Sequence, residues 1–437
     1  MSVGQEWMKI MRAKAVSGAR FHYAWAIAAA TFIVLLVTAA ARATPSILMV
    51  PLMEEFRWST ESISIAIAIN IALFGLIGPF AAYLMNRFGV RCLTLFALTL
   101  LALAVLLTTQ MKAQWQLILL WGFCVGSATG VTSMVLAVVV SNTWFDARRS
   151  LVLGFMTAAN ATGQLLFLPL LARRVETAGW RSASWIVAVF AVLVGAVIFA
   201  VMRDRPEDVG LKPYGWHASD ELGTAKTSLP PLAALWLALK SPAFWVLAGS
   251  FFICGASTNG LIGTHLIAAC HDVGISQVRA AGLLATMGIF DIVGTTASGW
   301  LTDRLSSRYL LFMYYSLRGL SLIFLPHTLA ATGDALKWFA VFYGLDWVAT
   351  VPPTVKLTTV AFGRENAAVA YGWIGASHQL GASMAALTAG VVRTSSGTYT
   401  PAFWLVGTIC FATGSVFLFG AKSLDRGTNH RTIDPGR

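Results

Sequence analysis

Long uncharged runs, among them Leu93–Leu107 and Trp185–Val201, recur from one end of the chain to the other. A helix that spans a bilayer needs about 20 apolar residues. Strands of a membrane barrel would instead alternate apolar and polar positions with a period of two. Only 11% of the 437 residues are charged, 57% are hydrophobic, and the mean hydropathy is +0.71. A soluble domain keeps about 25% charged residues to wet its surface. Lipid must therefore cover most of this chain, and its backbone must be helical.

The apolar runs predict twelve spans: 23–52, 60–84, 92–111, 115–142, 150–172, 182–202, 243–270, 278–301, 309–327, 337–361, 366–391 and 401–421. Proline, glycine and charge cluster between the sixth and seventh, in RDRPEDVGLKPYGW and SDELGTAKTSLPP. The expected organisation is an N-tail (1–22), a six-helix bundle (23–202), a hydrophilic linker (203–242), a second six-helix bundle (243–421) and a C-tail (422–437). The first twenty residues are basic and lack an apolar stretch with a cleavage site, so they read as a tail and not as a signal peptide.

The net charge of +12 is explained by topology and does not call for a nucleic-acid partner. With twelve spans, both tails and the linker share one side. That side holds twenty Lys and Arg, the other eight. The excess places both termini in the cytoplasm of a multi-pass protein of the plasma membrane, or of the inner membrane in a bacterium. Cys92, Cys124, Cys254, Cys270 and Cys410 lie in or beside apolar runs, with no metal-type spacing and no disulfide framework. No H-E-x-x-H, G-x-S-x-G or G-x-x-x-x-G-K-[ST] motif occurs, so neither an enzyme nor a nucleotide-driven pump is expected, and no cofactor or metal.

The two halves repeat. AYLMNRFGVR (82–91) and GWLTDRLSSR (299–308) lie 217 residues apart, and LVLGFMTAANATG (151–163) and VAYGWIGASHQLG (369–381) lie 218 apart. Internally duplicated halves of this kind are a transporter architecture.

GWLTDRLSSR resembles the G-x-L-x-D-R-x-x-x-R loop of the major facilitator superfamily. Its first-half copy departs with Ala82 for the glycine and Asn86 for the acid. WFDARRSLVLGFMTAANATG (144–163) resembles the fifth-helix signature of the monocarboxylate-porter branch. Phe145, Arg148, Arg149, Leu151, Gly154, Ala158 and Gly163 match; Trp144, Val152, Met156 and Ala159 depart. FDIVGTTASG (290–299) is similar to that branch's eighth-helix segment, with Asp291 as its acid and Thr295 where an arginine follows. The resemblance implies two pseudo-symmetric bundles of six transmembrane helices. The first, fourth, seventh and tenth helices would line a central cavity that opens alternately to either side.

A charge in mid-bilayer costs about 2.5–3.5 kcal/mol on insertion scales, so each one needs a reason. Arg42 lies three residues before Pro45 in the first helix and suits an anion, because a guanidinium can hold a carboxylate with two parallel hydrogen bonds. Its repeat counterpart is Asn259. Asp291 is a candidate for proton coupling or gating. It is equally a candidate for a structural ion pair with Arg318, at similar depth on the next helix. Asp346 reads as a proton site or as a partner for Arg42. Asp303 and Arg304 belong to the gating loop, and Lys356 reads as a side chain reaching for the cytoplasmic surface. His378 lies opposite Asn160 by the repeat, and both are candidates for the substrate. His265, Asn70, Gln164 and Gln379 are weaker polar candidates.

The resulting expectation is a monomeric secondary transporter of a small organic anion, a carboxylate by the resemblance, moved in symport with protons. Two alternatives stay open: a proton-antiport exporter of organic compounds, and a non-transporting sensor on the same scaffold.

Overall fold

The computed structural model describes residues 22–216, 231–331 and 334–419. The expected tails therefore lie almost wholly outside the described residues, as do 217–230 of the linker. What is described is all helix apart from one isolated bridge between Phe145 and Tyr214.

Twelve spanning segments follow one another. The first bundle holds α1 (Tyr23–Phe56), α2 (Thr60–Phe88), α3 (Val90–Thr108), α4 (Gln114–Trp144), α5 (Arg149–Ala178) and α6 (Trp180–Val201). The second holds α7 (Pro242–Asp272), α8 (Gln277–Arg304), α9 (Ser307–Ala330), α10 (335–362), α11 (364–396) and α12 (Thr400–Phe419). Nine helices among the described residues are long and apolar enough to cross a membrane on composition alone. The expected spans fall on the observed ones, each observed boundary lying within several residues. Gly363, at φ 74° and ψ 160°, turns the chain between α10 and α11, a conformation open to glycine for want of a Cβ.

The described part of the linker is more ordered than its composition suggests. Pro206–Val209 forms a 3₁₀ turn and Pro231–Leu239 a short helix. Tyr214 packs edge-on against Trp25 and donates its amide to the Trp144 carbonyl at 2.8 Å. Asp204 accepts from the Arg91 amide at 2.8 Å and so caps the start of α3. The first-half loop, where Asn86 stands in place of an acid, thus gets a carboxylate from the linker. A Cβ at Gly89, which has φ +87°, would collide with that carboxylate.

Helices cross closely where glycine allows it. A methyl at Gly255 of α7 would overlap the His378 carbonyl of α11, and one at Gly381 of α11 would overlap the Phe252 carbonyl of α7. Gly294 of α8 and Gly344 of α10 are equally tight against one another's helices. The repeat-matched pair Gly154 and Gly372 behaves differently, since a Cβ at either meets nothing within 4 Å.

Ties between the halves occur in the middle of the molecule, at the end away from the linker (the far end), and toward the linker end, where Phe80 of α2 meets Trp373 of α11 edge-on at 6.3 Å. Glu54 faces His271 at 3.8 Å, the Glu61 amide donates to Thr394 at 3.1 Å, and the Val278 amide donates to Glu176 at 3.0 Å. Ser383 donates to the Ala68 carbonyl at 2.8 Å. Toward the linker end Tyr83, Leu151, Phe155 and Trp300 are exposed.

Gly255→Ala is expected to overpack the α7–α11 crossing, at a cost of about 1–3 kcal/mol. Gly372→Ala should be neutral or slightly stabilising, because it replaces a helical glycine in open space. Thermal unfolding of the two variants in detergent checks the contrast.

Candidate functional site

A straight helix satisfies its own amides and carbonyls, whereas a broken one in lipid needs outside partners. Three of the four helices expected to line the cavity are irregular near mid-span, and the fourth, α1, contains Pro45 and Pro51. In α4 a π-helical stretch, Ile118–Val125, is followed by a break at Thr132–Ser133. In α7 the π stretch is Ala256–Ile262. In α10 the helix ends at Asp346 and restarts at Val351. At the repeat offset of 217, Thr132 falls on Ala349, so α4 and α10 break at matching places.

The chemistry that closes the two breaks differs. In the first half it is neutral. Thr38 of α1 meets the Thr132 hydroxyl at 2.7 Å, and Asn70 of α2 donates to the Trp121 carbonyl at 2.7 Å. Asn70 is thereby a buried structural group and not part of the cavity wall. In the second half the closing groups are ionisable. Asp291 of α8 accepts from the Val348 amide at 3.0 Å and from Thr295 at 2.8 Å. Ser298 donates to the Ala349 carbonyl at 2.5 Å. Arg318 of α9 donates to the backbone carbonyls of Asp346 and Trp347.

Arg318 also forms an ion pair with the Asp346 carboxylate, Nε to Oδ2 at 2.7 Å, and donates from Nη1 to the Cys254 sulfur at 3.0 Å. The expected Asp291–Arg318 pair is thus replaced by Asp346–Arg318, and Asp346 is not the partner of Arg42. Depth along the helices suggested Asp291, but the face of α9 decides. Arg318 points between α7 and α10, and its side chain is fully buried. Asp291 meets the α10 backbone on the neighbouring face. Thr295, which stands where the resemblance expects an arginine, is its hydrogen-bond donor.

Arg42 is half-buried, and its guanidinium lies 3.9 Å from the centre of the Phe74 ring. It has no carboxylate partner among the described residues. A cation–π contact of this kind is worth about 0.5–2 kcal/mol and uses only one face of the guanidinium plane. The in-plane N–H donors remain for an anion. Gly75, next to Phe74, is in tight contact with Gln379 of α11, so α2 links the Arg42 neighbourhood to the helix of His378.

His378 is half-buried, its ring 5.0 Å from that of Phe251 and beside the Cys254 thiol. Asn259 is half-buried within the π stretch of α7, where its carbonyl accepts from Thr264 at 2.8 Å. The side chains of Asn160 and Gln164 lie outside the described residues. His265 is a satisfied core histidine. It is fully buried, with Nε2 on the Ala386 carbonyl at 2.8 Å and Nδ1 against the Tyr399 hydroxyl at 3.2 Å. Asp303 and Arg304 are exposed at the linker end, where Arg304 folds over Trp300 at 4.0 Å. Lys356 reaches the Thr302 carbonyl at 2.5 Å near the same end.

Sequence reasoning picked out the individual charges but missed Cys254, Phe74 and Ser298. Cys254 looked like any apolar-run cysteine, and its contact with Arg318 has no signal in the one-dimensional pattern. The repeat offset was the one clue that α4 and α10 would break at matching places.

Removing one member of a buried ion pair leaves an uncompensated charge, whereas removing both does not. Arg318→Met alone should cost about 3–5 kcal/mol, and adding Asp346→Leu should recover most of it. Chemical or thermal unfolding of the single and double variants measures the recovery.

The Major Facilitator Superfamily family profile matches residues 31–386. An uncharacterized MFS-type transporter of Bacillus subtilis, YcxA, is 26% identical over 344 residues, covering 76% of this chain and 78% of its own. Monocarboxylate transporter 11 of Mus musculus is 26% identical over 91% of this chain and 87% of its own. Among solved structures, a bacterial homolog of the human lysosomal transporter Spinster superposes with a TM-score of 0.69. It has 14% identity and covers 93% of this chain and 97% of its own. The D-xylose-proton symporter gives the same score at 15% identity, with 91% and 97% covered.

Proposed function

The chain belongs to the Major Facilitator Superfamily, and from that premise we propose that it carries a small organic anion, a carboxylate, together with a proton across the plasma membrane by alternating access. The single observation that carries the anion is Arg42. A cation in mid-membrane, stacked on Phe74 and without a carboxylate partner among the described residues, is a charge waiting for a counter-ion. A carboxylate matches the geometry of its free donors. The monocarboxylate transporters among the relatives support the same class.

The proton follows from charge balance. With Arg42 and Arg318 cationic and Asp291 and Asp346 anionic, these four intramembrane charges sum to zero when the cavity is empty; Lys356 reaches out to the linker end and is not counted. Adding a carboxylate alone would leave a net negative charge in the low-dielectric interior, which is expensive. Adding a proton with it restores neutrality. Asp346 is engaged by Arg318, so Asp291 is the carboxylate we assign to the proton. His378 and Asn259, both half-buried, and Asn160 are assigned to the polar end of the substrate. Both tails and the linker are assigned to the cytoplasmic side, on the excess of Lys and Arg there.

The test uses proteoliposomes loaded with a pH dye and offered a panel of monocarboxylates, dicarboxylates and zwitterions. Wild type should acidify the lumen with at least one monocarboxylate. Asp291→Asn should stay folded, because its side-chain oxygen can still accept from the Val348 amide. It should lose the pH change while keeping substrate counterflow. Arg42→Gln should raise the half-saturating concentration about 10- to 100-fold, as expected for one charged hydrogen-bonding contact. No pH change with any carboxylate in a folded protein would exclude this reading. Alkalinisation on adding a substrate from outside would favour the exporter, which exchanges an organic compound for protons.

A further inference from the structure

Arg318 sits on α9, which is not among the four helices expected to line the cavity. α9 packs on α12 and exposes Leu317, Leu320 and Phe324 on its other face. Helices in that position would be expected to carry apolar side chains alone. Burying an arginine there is costly unless its donors are matched, and these are. Its partners belong to two other helices, both of which are irregular at this depth. On α10 it holds the Asp346 carboxylate together with the carbonyls of Asp346 and Trp347, the last ones before the break. On α7 it holds Cys254, two residues before the π stretch begins at Ala256.

Around this point the two cavity helices are joined again. The Cys254 sulfur lies 3.3 Å from the Thr350 hydroxyl, on the far side of the α10 break. Tyr343 of α10 donates to the Ser257 carbonyl inside the π stretch at 2.8 Å. The next residue after Cys254, Gly255, lies hard against the backbone of His378.

We propose that Arg318 is a positioning residue for transport. By binding the broken end of α10 and the Cys254 turn of α7 at once, it fixes the relative pose of the two second-half cavity helices and, through Gly255, of His378. The first half ties its matching break with the Thr38 hydroxyl of α1 on Thr132 and has no such arginine among the described residues. The second half is the stiff wall and the first half the compliant one. The inference rests on membership of the transporter family and not on the substrate being a carboxylate, so its test needs no substrate.

Spin labels at Leu151→Cys of α5 and Thr296→Cys of α8, both exposed toward the linker end, report the opening between the halves by pulsed electron paramagnetic resonance. Cys92 and Cys124 are replaced by serine, and the buried Cys254, Cys270 and Cys410 stay in the background. Cys254→Ala removes the tie to α7 and leaves the Arg318–Asp346 pair intact. Arg318→Lys keeps the charge but cannot reach all four acceptors. Both should broaden the distance distribution and raise the minor population at least threefold. Cys254→Ser, whose hydroxyl can accept from Arg318, should restore the wild-type distribution. A folded Cys254→Ala protein with the wild-type distribution would overturn the proposal, whether or not Arg318→Lys folds. So would a Cys254→Ser variant that broadens as much as the alanine.

Discussion

Inside a bilayer, a free backbone amide or carbonyl has no water to turn to, so a helix can break there only where neighbouring side chains take over its hydrogen bonds. That constraint organises the middle of this protein. The α10 break persists because Asp291, Ser298 and Arg318 supply an acceptor and donors from two flanking helices. The π stretch of α7 persists because Tyr343 and Thr264 satisfy carbonyls within it. The polar groups are placed to serve the backbone first. Irregular backbone at this depth is tolerated where it lines a cavity or is buried in protein.

The glycines complete the same scheme. Lipid gives no hydrophobic drive for helices to associate, so close van der Waals packing carries the association. Gly255 and Gly381 let α7 and α11 approach until backbone meets backbone, and Gly294 and Gly344 do so for α8 and α10. Each of these crossings lies beside one of the polar ties described above. The approach brings the donors within range, and the hydrogen bonds then fix the approach in one register.

The fold was legible in the sequence because its signals are one-dimensional: length of apolar run, position of charge, and a duplication at an offset of 217. The site was legible only as a set of residues. Depth can be counted along a helix, and the counts placed Asp291 and Arg318 near one level. Azimuth cannot be read with the same certainty from a run that is apolar on every side, so the sequence offered Asp291 as the partner of Arg318 and gave no sign of Asp346. The same limit hid Phe74 behind Arg42, and Asp204, which arrives from the linker to cap α3. Asn86 had suggested a loop without an acid, and that loop recruits one from more than a hundred residues away in the chain.

The asymmetry between the halves is where duplication and chemistry part company. The repeat preserves the break, and the two copies close it with different atoms: threonine hydroxyls in one half, carboxylates and a guanidinium in the other. A hydroxyl pair holds the same charge at any pH, whereas a carboxylate can take up a proton. Only the second-half break can therefore change its bonding when a proton arrives. The first half in turn holds Arg42, an intramembrane cation that lacks a carboxylate partner among the described residues. In the proposed cycle, a proton received on one wall and an anion received on the other are separated in space but linked by the requirement that the buried charge sum to zero. That requirement acts through the field in a low-dielectric interior and needs no direct contact between Arg42 and Asp291. Under that proposal, two copies of one six-helix unit acquire distinct roles without any change of fold.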